Sequence, residues 1–288
     1  MILKDQEVRV WGQTPCSKKE SINWIEAAGR TCYRSEDKII DGSGIKFVKN
    51  IWKRNHYSVL EHSNIVLRTR IKSKFPNMAL IKEKSVFDSK YFSFCIHHDH
   101  VYISGNWRSW IEFYKALRGN DDIMTIDNII DFLESETYEV IKDNQCVPNQ
   151  LKAITVEFIT DRAVTHELVR HRPASYSQES QRYVRYGDIT FIKPSWFDKI
   201  EDGSYERVIF NNSCKSIETQ YKGLLAIGMK AEDARVILPN CTATKIIMTA
   251  SIPEWKHVFF LRTSKAAYPQ IRNIMIPVQE IFNINKWI

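Results

Sequence analysis

The sequence predicts an α+β fold, a single domain with a largely antiparallel sheet flanked by helices. Three observations carry that expectation. Short stretches that alternate apolar and polar residues, "EVRVW" (7–11), "NIVLRTRI" (64–71) and "AITVEFI" (153–159), read as half-buried strands. Other stretches place apolar residues three and four apart, the spacing of an amphipathic helix. The two kinds do not alternate regularly, which sets aside a doubly wound parallel sheet. At 288 residues and 43% hydrophobic content the chain can bury a sizeable core, and 12% aromatic residues exclude disorder. No repeat or low-complexity linker divides it, so one domain is expected over 1–288, with "RGNDDI" (118–123) its most loop-like break.

Each element has its own signal. Val8 and Val10 alternate with charges in the first strand. "SKKESINWIEAAGR" (17–30) follows as a helix, with Ser17 and Glu20 as a capping box and Ile22, Ile25 and Ala28 on one face. A second helix starts near Ser43, with Ile45, Val48 and Trp52 in register. In the next strand Ile65, Leu67, Thr69 and Ile71 alternate with polar residues. "YFSFCI" (91–96) reads as a strand, and "NWRSWIEFYKAL" (106–117) and "IDNIIDFLESETYEVI" (126–141) as helices. After 153–159, Thr160 and Asp161 offer an N-cap to a helix that runs towards Pro173, which stops it. Val164 and Leu168 lie on one side of that helix, and Arg162, His166 and Arg170 on the other. A later helix carries Arg235 ahead of Pro239. Ser251 and Glu254 form a second capping box with Pro253 in the first turn; Trp255, Val258 and Phe259 make the apolar face, and Arg262 continues the stripe. Pro269 opens the last helix and Pro277 kinks it.

The net charge of +7 suits an anionic ligand but is too small to indicate nucleic-acid binding by itself. The start of the chain has no apolar core of signal-peptide length, and no stretch approaches 18 apolar residues. Six cysteines, at 16, 32, 95, 146, 214 and 241, form no CxxC pair. A cytoplasmic protein with reduced thiols and no membrane span is expected.

The chemistry concentrates in residues 161–185. Five arginines (162, 170, 172, 182, 185) and two histidines face Asp161, Glu167 and Glu179, and lysine is absent although plentiful elsewhere. A solvated helix end with surface ion pairs accounts poorly for that bias. Arginine alone offers a planar fork that matches phosphate or a pyrimidine edge. The composition is that of a nucleotide-phosphate pocket, or in second place a basic nucleic-acid-binding module. "RNHYSVLEH" (54–62) gathers His56, Ser58, Glu61 and His62 between a helix and a strand, alone no more than a polar turn. "IHHDH" (96–100) lacks the ligands that complete a metal site, so no metal is expected. Cys16 in "TPCSKK" has no histidine near it in sequence to activate it, and no cysteine is expected to act as a nucleophile. There is no glycine-rich phosphate loop, so any dinucleotide is held without one.

The segment "RHRPASYSQESQRY" (170–183) closely resembles the signature of flavin-dependent thymidylate synthases, RHRxxSxxxxSxR, with Arg170-His171-Arg172, Ser175, Ser180 and Arg182 at the fixed positions. "GRTCY" (29–33), "HYSVLEH" (56–62), "DARVILP" (233–239) and "HVFFLR" (257–262) resemble further family segments, in order. The resemblance covers roughly 1–72 and 153–288, and 73–152 stands out as a possible insertion. It implies an FAD-dependent methyltransferase that makes dTMP from dUMP, with methylenetetrahydrofolate as carbon donor and NADPH as reductant. It also implies a homotetramer with active sites shared between subunits, and neither nucleic acid nor membrane as partner. Residue by residue, it places His56, Ser58, Glu61, Arg170, His171, Arg172, Gln178, Ser251 and His257 at FAD. It places Glu167, Arg170, Gln178, Glu179, Ser180, Gln181, Arg182, Arg235 and Arg262 at dUMP, with Arg262 polarising the uracil ring. Glu167 stands where glutamine is often found, Pro253 where arginine is usual and Ala266 where many members have histidine.

Overall fold

The fold is described from a computed structural model, for residues 1–15, 17–70, 91–118 and 139–288. In chain order its strands are β1 (Ile2–Lys4), β2 (Glu7–Gln13), β3 (Asn64–Arg70), β4 (Phe92–His97), β5 (His100–Asn106), β6 (Glu139–Val140), β7 (Ala153–Asp161), β8 (Ala174–Gln178), β9 (Thr190–Ile192) and β10 (Ala243–Ser251). The helices are α1 (Lys18–Arg30), α2 (Ser43–Lys53), α3 (Trp107–Arg118), α4 (Arg162–Leu168), α5 (Tyr205–Ala226), α6 (Ala231–Ala234), α7 (Ile252–Arg262) and α8 (Pro269–Ile284).

The expected mixture of helices and antiparallel sheet is present, but the sheet is two sheets. One runs β2-β7-β10-β8 and the other β4-β5-β3-β6, all antiparallel, and β1 pairs separately and in parallel with β9. The first sheet packs on α7 and α8. Ile154, Val156, Phe158, Ile246 and Met248 meet Trp255, Phe259 and Phe282, whose rings lie 5.0–5.6 Å apart. The second sheet packs on α1, α2 and α3 through Ile25, Val48, Leu60, Trp107 and Trp110. The alternation in β3 pointed to one buried face. Both are buried: Ile65 and Leu67 enter the helical core, and Val66 packs with Tyr102 and Ile141 behind.

Several local expectations change for identifiable reasons. α2 buries Gly44, Val48 and Ile51, and Ile45 is half exposed, so the true face runs i, i+4, i+7 from Gly44. Ser17 does not cap α1; its hydroxyl donates to Glu20 Oε2 at 2.6 Å. Asp161 does cap α4, accepting from the Val164 N–H at 2.7 Å. That helix stops at Leu168, short of Pro173, because the chain turns to enter the sheet as β8. Arg170 therefore lies beyond it and shares no stripe with Arg162 and His166. Around Arg235 there is one turn of helix, α6, followed by a 3-10 turn, Arg235–Ile237. Ser251 caps α7 from 3.4 Å, and Pro269 and Pro277 stand at the start and inside of α8. Of the helix expected over 126–141, residues 126–138 lie outside the described residues and Glu139–Val140 is a strand against β3. Cys16, Ile71 and most of "RGNDDI" also lie outside them. Among the described residues no helix is long and apolar enough to cross a membrane, and no group of His, Cys, Asp or Glu could hold a metal.

Candidate functional site

The site grows from the junction of β7, α4 and β8 on one side and α7 on the other. Strand β8 lies beside β10, with Ser175 opposite Thr249 and Gln178 opposite Ile246. That register buries Ser175 and Ser177 and pins the motif segment to the sheet. Of the residues before it, His171 meets α7, touching Arg262 at the helix end and lying near His257 and Glu254 further back.

Arg262 is the focus of the polar contacts. Its Nε donates to His171 Nε2 at 2.9 Å, its Nη1 pairs with the Glu167 carboxylate, and its Nη2 reaches the Glu167 carbonyl at 3.3 Å. His171 is buried, and that burial, together with Arg262 and His257, lowers its pKa to about 4. Its other nitrogen, Nδ1, lies 3.8 Å from Glu254 Oε1. His257 stands with its ring 6.1 Å from His171. Exposed Arg172 donates to the Ala174 carbonyl at 3.3 Å and lies over the Tyr176 ring, and Tyr176 in turn donates to the carbonyls of Leu168 and His171.

A second group of contacts crosses between the two sheets. Glu61, buried in the 3-10 turn Tyr57–His62, accepts from Ser175 Oγ at 3.0 Å and from Arg108 Nη1 of α3 at 2.8 Å. His62, wholly buried, faces Thr249 Oγ1 at 2.8 Å, and its burial lowers its pKa to about 4. A cavity lies here, lined by Glu61 of the 3-10 turn, by Asn64, Ser104 and Asn106 from one sheet and by Ser175, Thr249 and Ser251 from the other. His56 and Ser58, in the same turn as Glu61 or just before it, are exposed.

The rest of the motif segment forms a third group. Gln178 donates to Thr165 and Thr244 at 3.1 and 3.3 Å. Glu179 is buried with both carboxylate oxygens engaged, by Arg34 Nε and by the Tyr186 hydroxyl, each at 2.6 Å, and its carbonyl accepts from Arg162. The Ser180 N–H donates to the Cys32 carbonyl, and Gln181 follows half-buried. Exposed Arg182 lies 3.7 Å from Glu232, whose carbonyl accepts from Arg235 Nε at 3.1 Å, so the segment's last arginine and the arginine just after α6 share one partner.

Of the residues singled out from sequence, Arg262, His171 and Glu167 come into direct contact, with Arg172 beside them. Glu61 and Ser251 share the inter-sheet cavity, and Arg182 meets Arg235 through Glu232. Arg170 is exposed, and Ser180 Oγ only accepts from the backbone N–H of its near neighbour Arg182 at 3.3 Å. Sequence reasoning counted Arg162 in the arginine cluster without giving it a role, and missed Arg34, Arg108, Glu232 and Glu254. Only Glu254 had a signal, its capping-box position, and that signal spoke for the helix end.

Comparison with known proteins agrees with the motif. The sequence profile of the family described as thymidylate synthase complementing protein matches residues 137–284. A flavin-dependent thymidylate synthase of Geobacter sulfurreducens is 39% identical over 120 residues, 40% of this chain and 49% of that one. A second, from Pyrococcus furiosus, is 39% identical over 117 residues, 39% of this chain and 47% of that one. The chain thus spans about half the length of the curated relatives it matches. A crystal structure of a UMP/dUMP methylase, PolB from Streptomyces cacaoi, covers 99% of this chain and 92% of that one at a TM-score of 0.46 and 14% identity, a likeness too slight to carry an argument.

Proposed function

The chain belongs to the thymidylate synthase complementing protein family, and from that premise we propose that it is a flavin-dependent thymidylate synthase, converting dUMP to dTMP. The observation that carries this reading is the bond between Arg262 and His171. It joins the RHR triplet to an arginine 91 residues away, in a half-buried setting beside further cations. Such an arrangement presents fixed donors to a developing anion, where they need no reorganisation.

The residues present fit a flavin dinucleotide. The inter-sheet cavity holds about 50 Å³, too little for a whole flavin ring, but the hydroxyl, amide and carboxylate groups that line it are a donor and acceptor set for the edge of a polar heterocycle. Exposed Arg170 and Arg172, just before Pro173 of the cavity lining in sequence, suit a diphosphate. FAD, when bound, would take reducing equivalents from NADPH and supply the hydride of the reductive methylation, with methylenetetrahydrofolate giving the carbon. The chain's own residues hold and orient. His56, Ser58, Glu61, Arg170, His171, Arg172, Gln178, Ser251 and His257 serve FAD. Glu167, Arg170, Gln178, Glu179, Ser180, Gln181, Arg182 and Arg235 serve dUMP. The Arg262 guanidinium meets the carbonyl edge of the uracil and stabilises the charge that forms there.

We place the active chain in a homotetramer with shared sites. Arg235 and its neighbour Val236 are exposed, Val236 at 82%, an apolar flank for a charged contact. The five described cysteines are all free, in keeping with a reducing cytoplasm. We read 1–288 as one functional domain, with the family-atypical part confined to 73–152.

The test is a visible spectrum of the purified protein with and without dUMP, followed by a dTMP assay with methylenetetrahydrofolate and NADPH. Flavin absorption bands, dTMP formation and a light-scattering mass of four chains are expected. A colourless monomer that takes up no FAD and forms no dTMP, yet binds duplex DNA in a salt-dependent way, would establish the nucleic-acid-binding alternative instead.

A further inference from the structure

We propose that Glu254 is a positioning residue, holding the His171 proton on Nδ1 so that Nε2 stays open to Arg262. Its consequence for turnover rests on the proposed function; its consequence for the histidine does not.

A guanidinium has donors only. Because Arg262 Nε donates to His171 Nε2 at 2.9 Å, that nitrogen must present a lone pair. A neutral imidazole then carries its single proton on Nδ1, the minor tautomer in water. The tautomer of a buried histidine is set by what its other nitrogen meets. Nδ1 faces Glu254 Oε1 across 3.8 Å, wider than a hydrogen bond but well within the range of attraction between a ring N–H and a carboxylate in a dry setting. The other charged or titratable groups facing the ring are Arg262 and His257, and neither favours a cation there. The hydroxyl of Tyr176 is directed at the His171 backbone carbonyl, so it does not compete for Nδ1.

Glu254 itself points to the same role. It is only 9% exposed, and among the described residues its Oε1 has no hydrogen-bond partner. Leaving a buried carboxyl oxygen unmatched is costly. The α7 N-terminus explains why an acid stands in the first turn. It does not explain why the free oxygen lies towards His171 instead of back towards the Ser251 N–H. Burial raises the Glu254 pKa, which shows how little solvent reaches this corner. The result is a line of contacts, Glu254 to His171 to Arg262 to Glu167, running from the base of α7 to the end of α4.

The experiment uses the full chain labelled with 15N in its histidine rings, without ligand, and reads each ring by long-range 1H–15N correlation. His171 is assigned by the signals lost in His171→Gln. The expected spectrum has a protonated Nδ1 and an unprotonated Nε2. Glu254→Gln should keep that pattern, since its amide oxygen still accepts, and Glu254→Leu should move the proton to Nε2. In the dTMP assay Glu254→Leu should lower kcat/KM roughly ten- to a hundredfold through a displaced Arg262, and Glu254→Gln should recover most of it. A wild-type His171 protonated on Nε2 overturns the proposal, and so does an Nδ1 proton that persists in Glu254→Leu. If Glu254→Leu does not fold, the wild-type spectrum decides. If the chain makes no dTMP, the proposed function fails, and the tautomer alone decides the role of Glu254.

Discussion

Arg262 is committed to two partners before any ligand arrives, and this sets what its loss should do. Arg262→Ala removes a preorganised donor, which typically costs ~100- to 1000-fold in rate. The expectation is that the FAD spectrum and NADPH oxidation persist while dTMP formation nearly stops. Arg262→Lys should recover little, because one ammonium cannot serve His171, Glu167 and a carbonyl edge at once. An Arg262→Ala rate within a few-fold of the parent at saturating dUMP would remove Arg262 from the chemistry. His62 and His171 make a second prediction. Both are buried and held neutral to about pH 4, against an ordinary value of 6.5. Between those values the unfolded chain takes up protons that the folded chain refuses. Their stabilising contribution is therefore full above about pH 6.5 and is lost as the pH falls towards 4, by roughly 3 kcal/mol each. Glu254 and Asp161, raised by burial, work in the opposite sense and offset part of the loss. Urea unfolding at pH 7 and pH 4.5 checks the sum, and an NMR titration checks each ring. A His62 or His171 that titrates near 6.5 contradicts the burial argument.

At the scale of elements, the 3-10 turn that carries Ser58 and Glu61 is seated by the close approach of α1 to α2. Gly29, near the end of α1, allows it: a Cβ there would come within 2.6 Å of Phe47 and 2.7 Å of Val59. Alanine gains about 1 kcal/mol of helix propensity over glycine. Overpacking against two fixed side chains costs about 1–3 kcal/mol, and here it wins. Gly29→Ala should thus lower the denaturation midpoint and, by shifting the turn, weaken FAD binding; a variant as stable as the parent would show that Phe47 yields. The elements differed in how plainly the sequence announced them. β2 and β7 kept their alternation and were legible. β10 was not, because Ile246, Ile247 and Met248 are all fully buried and a strand covered on both faces has no period of two. α5 escaped because two of its inward residues, Cys214 and Glu218, are polar or small, and only Tyr221 and Leu225 complete the helical spacing. β8 escaped because its buried residues are Ala174, Ser175 and Ser177, which resemble loop composition. The motif itself was plain, but its partners Arg34, Arg108 and Glu254 come from distant parts of the chain, and nothing in their local sequence marks them as such.

At the scale of the whole molecule, the two sheets are distinct layers, and the family profile covers little of the second. They meet along a line of short contacts: His62 to Thr249, Glu61 to Ser175 and Ser104 to the Leu151 carbonyl. Arg108 adds a tie from α3, an element outside the matched residues, to the motif serine through Glu61. The cavity lies on that line and takes its walls from both sides. A ligand whose edge reaches groups on both walls acts as a fastener. Whatever free energy it gains by touching both walls must be given up before the layers can part, about 2.7 kcal/mol at a hundredfold excess over Kd. Added FAD should therefore slow amide hydrogen exchange in β3 and β5 as well as in β8, with the protection fading towards α5. Protection confined to residues 137–284 would mean that the ligand grips one layer alone. On this view the second sheet works as a clasp, and the chain's hold on such a ligand and the cohesion of its two halves are one and the same quantity.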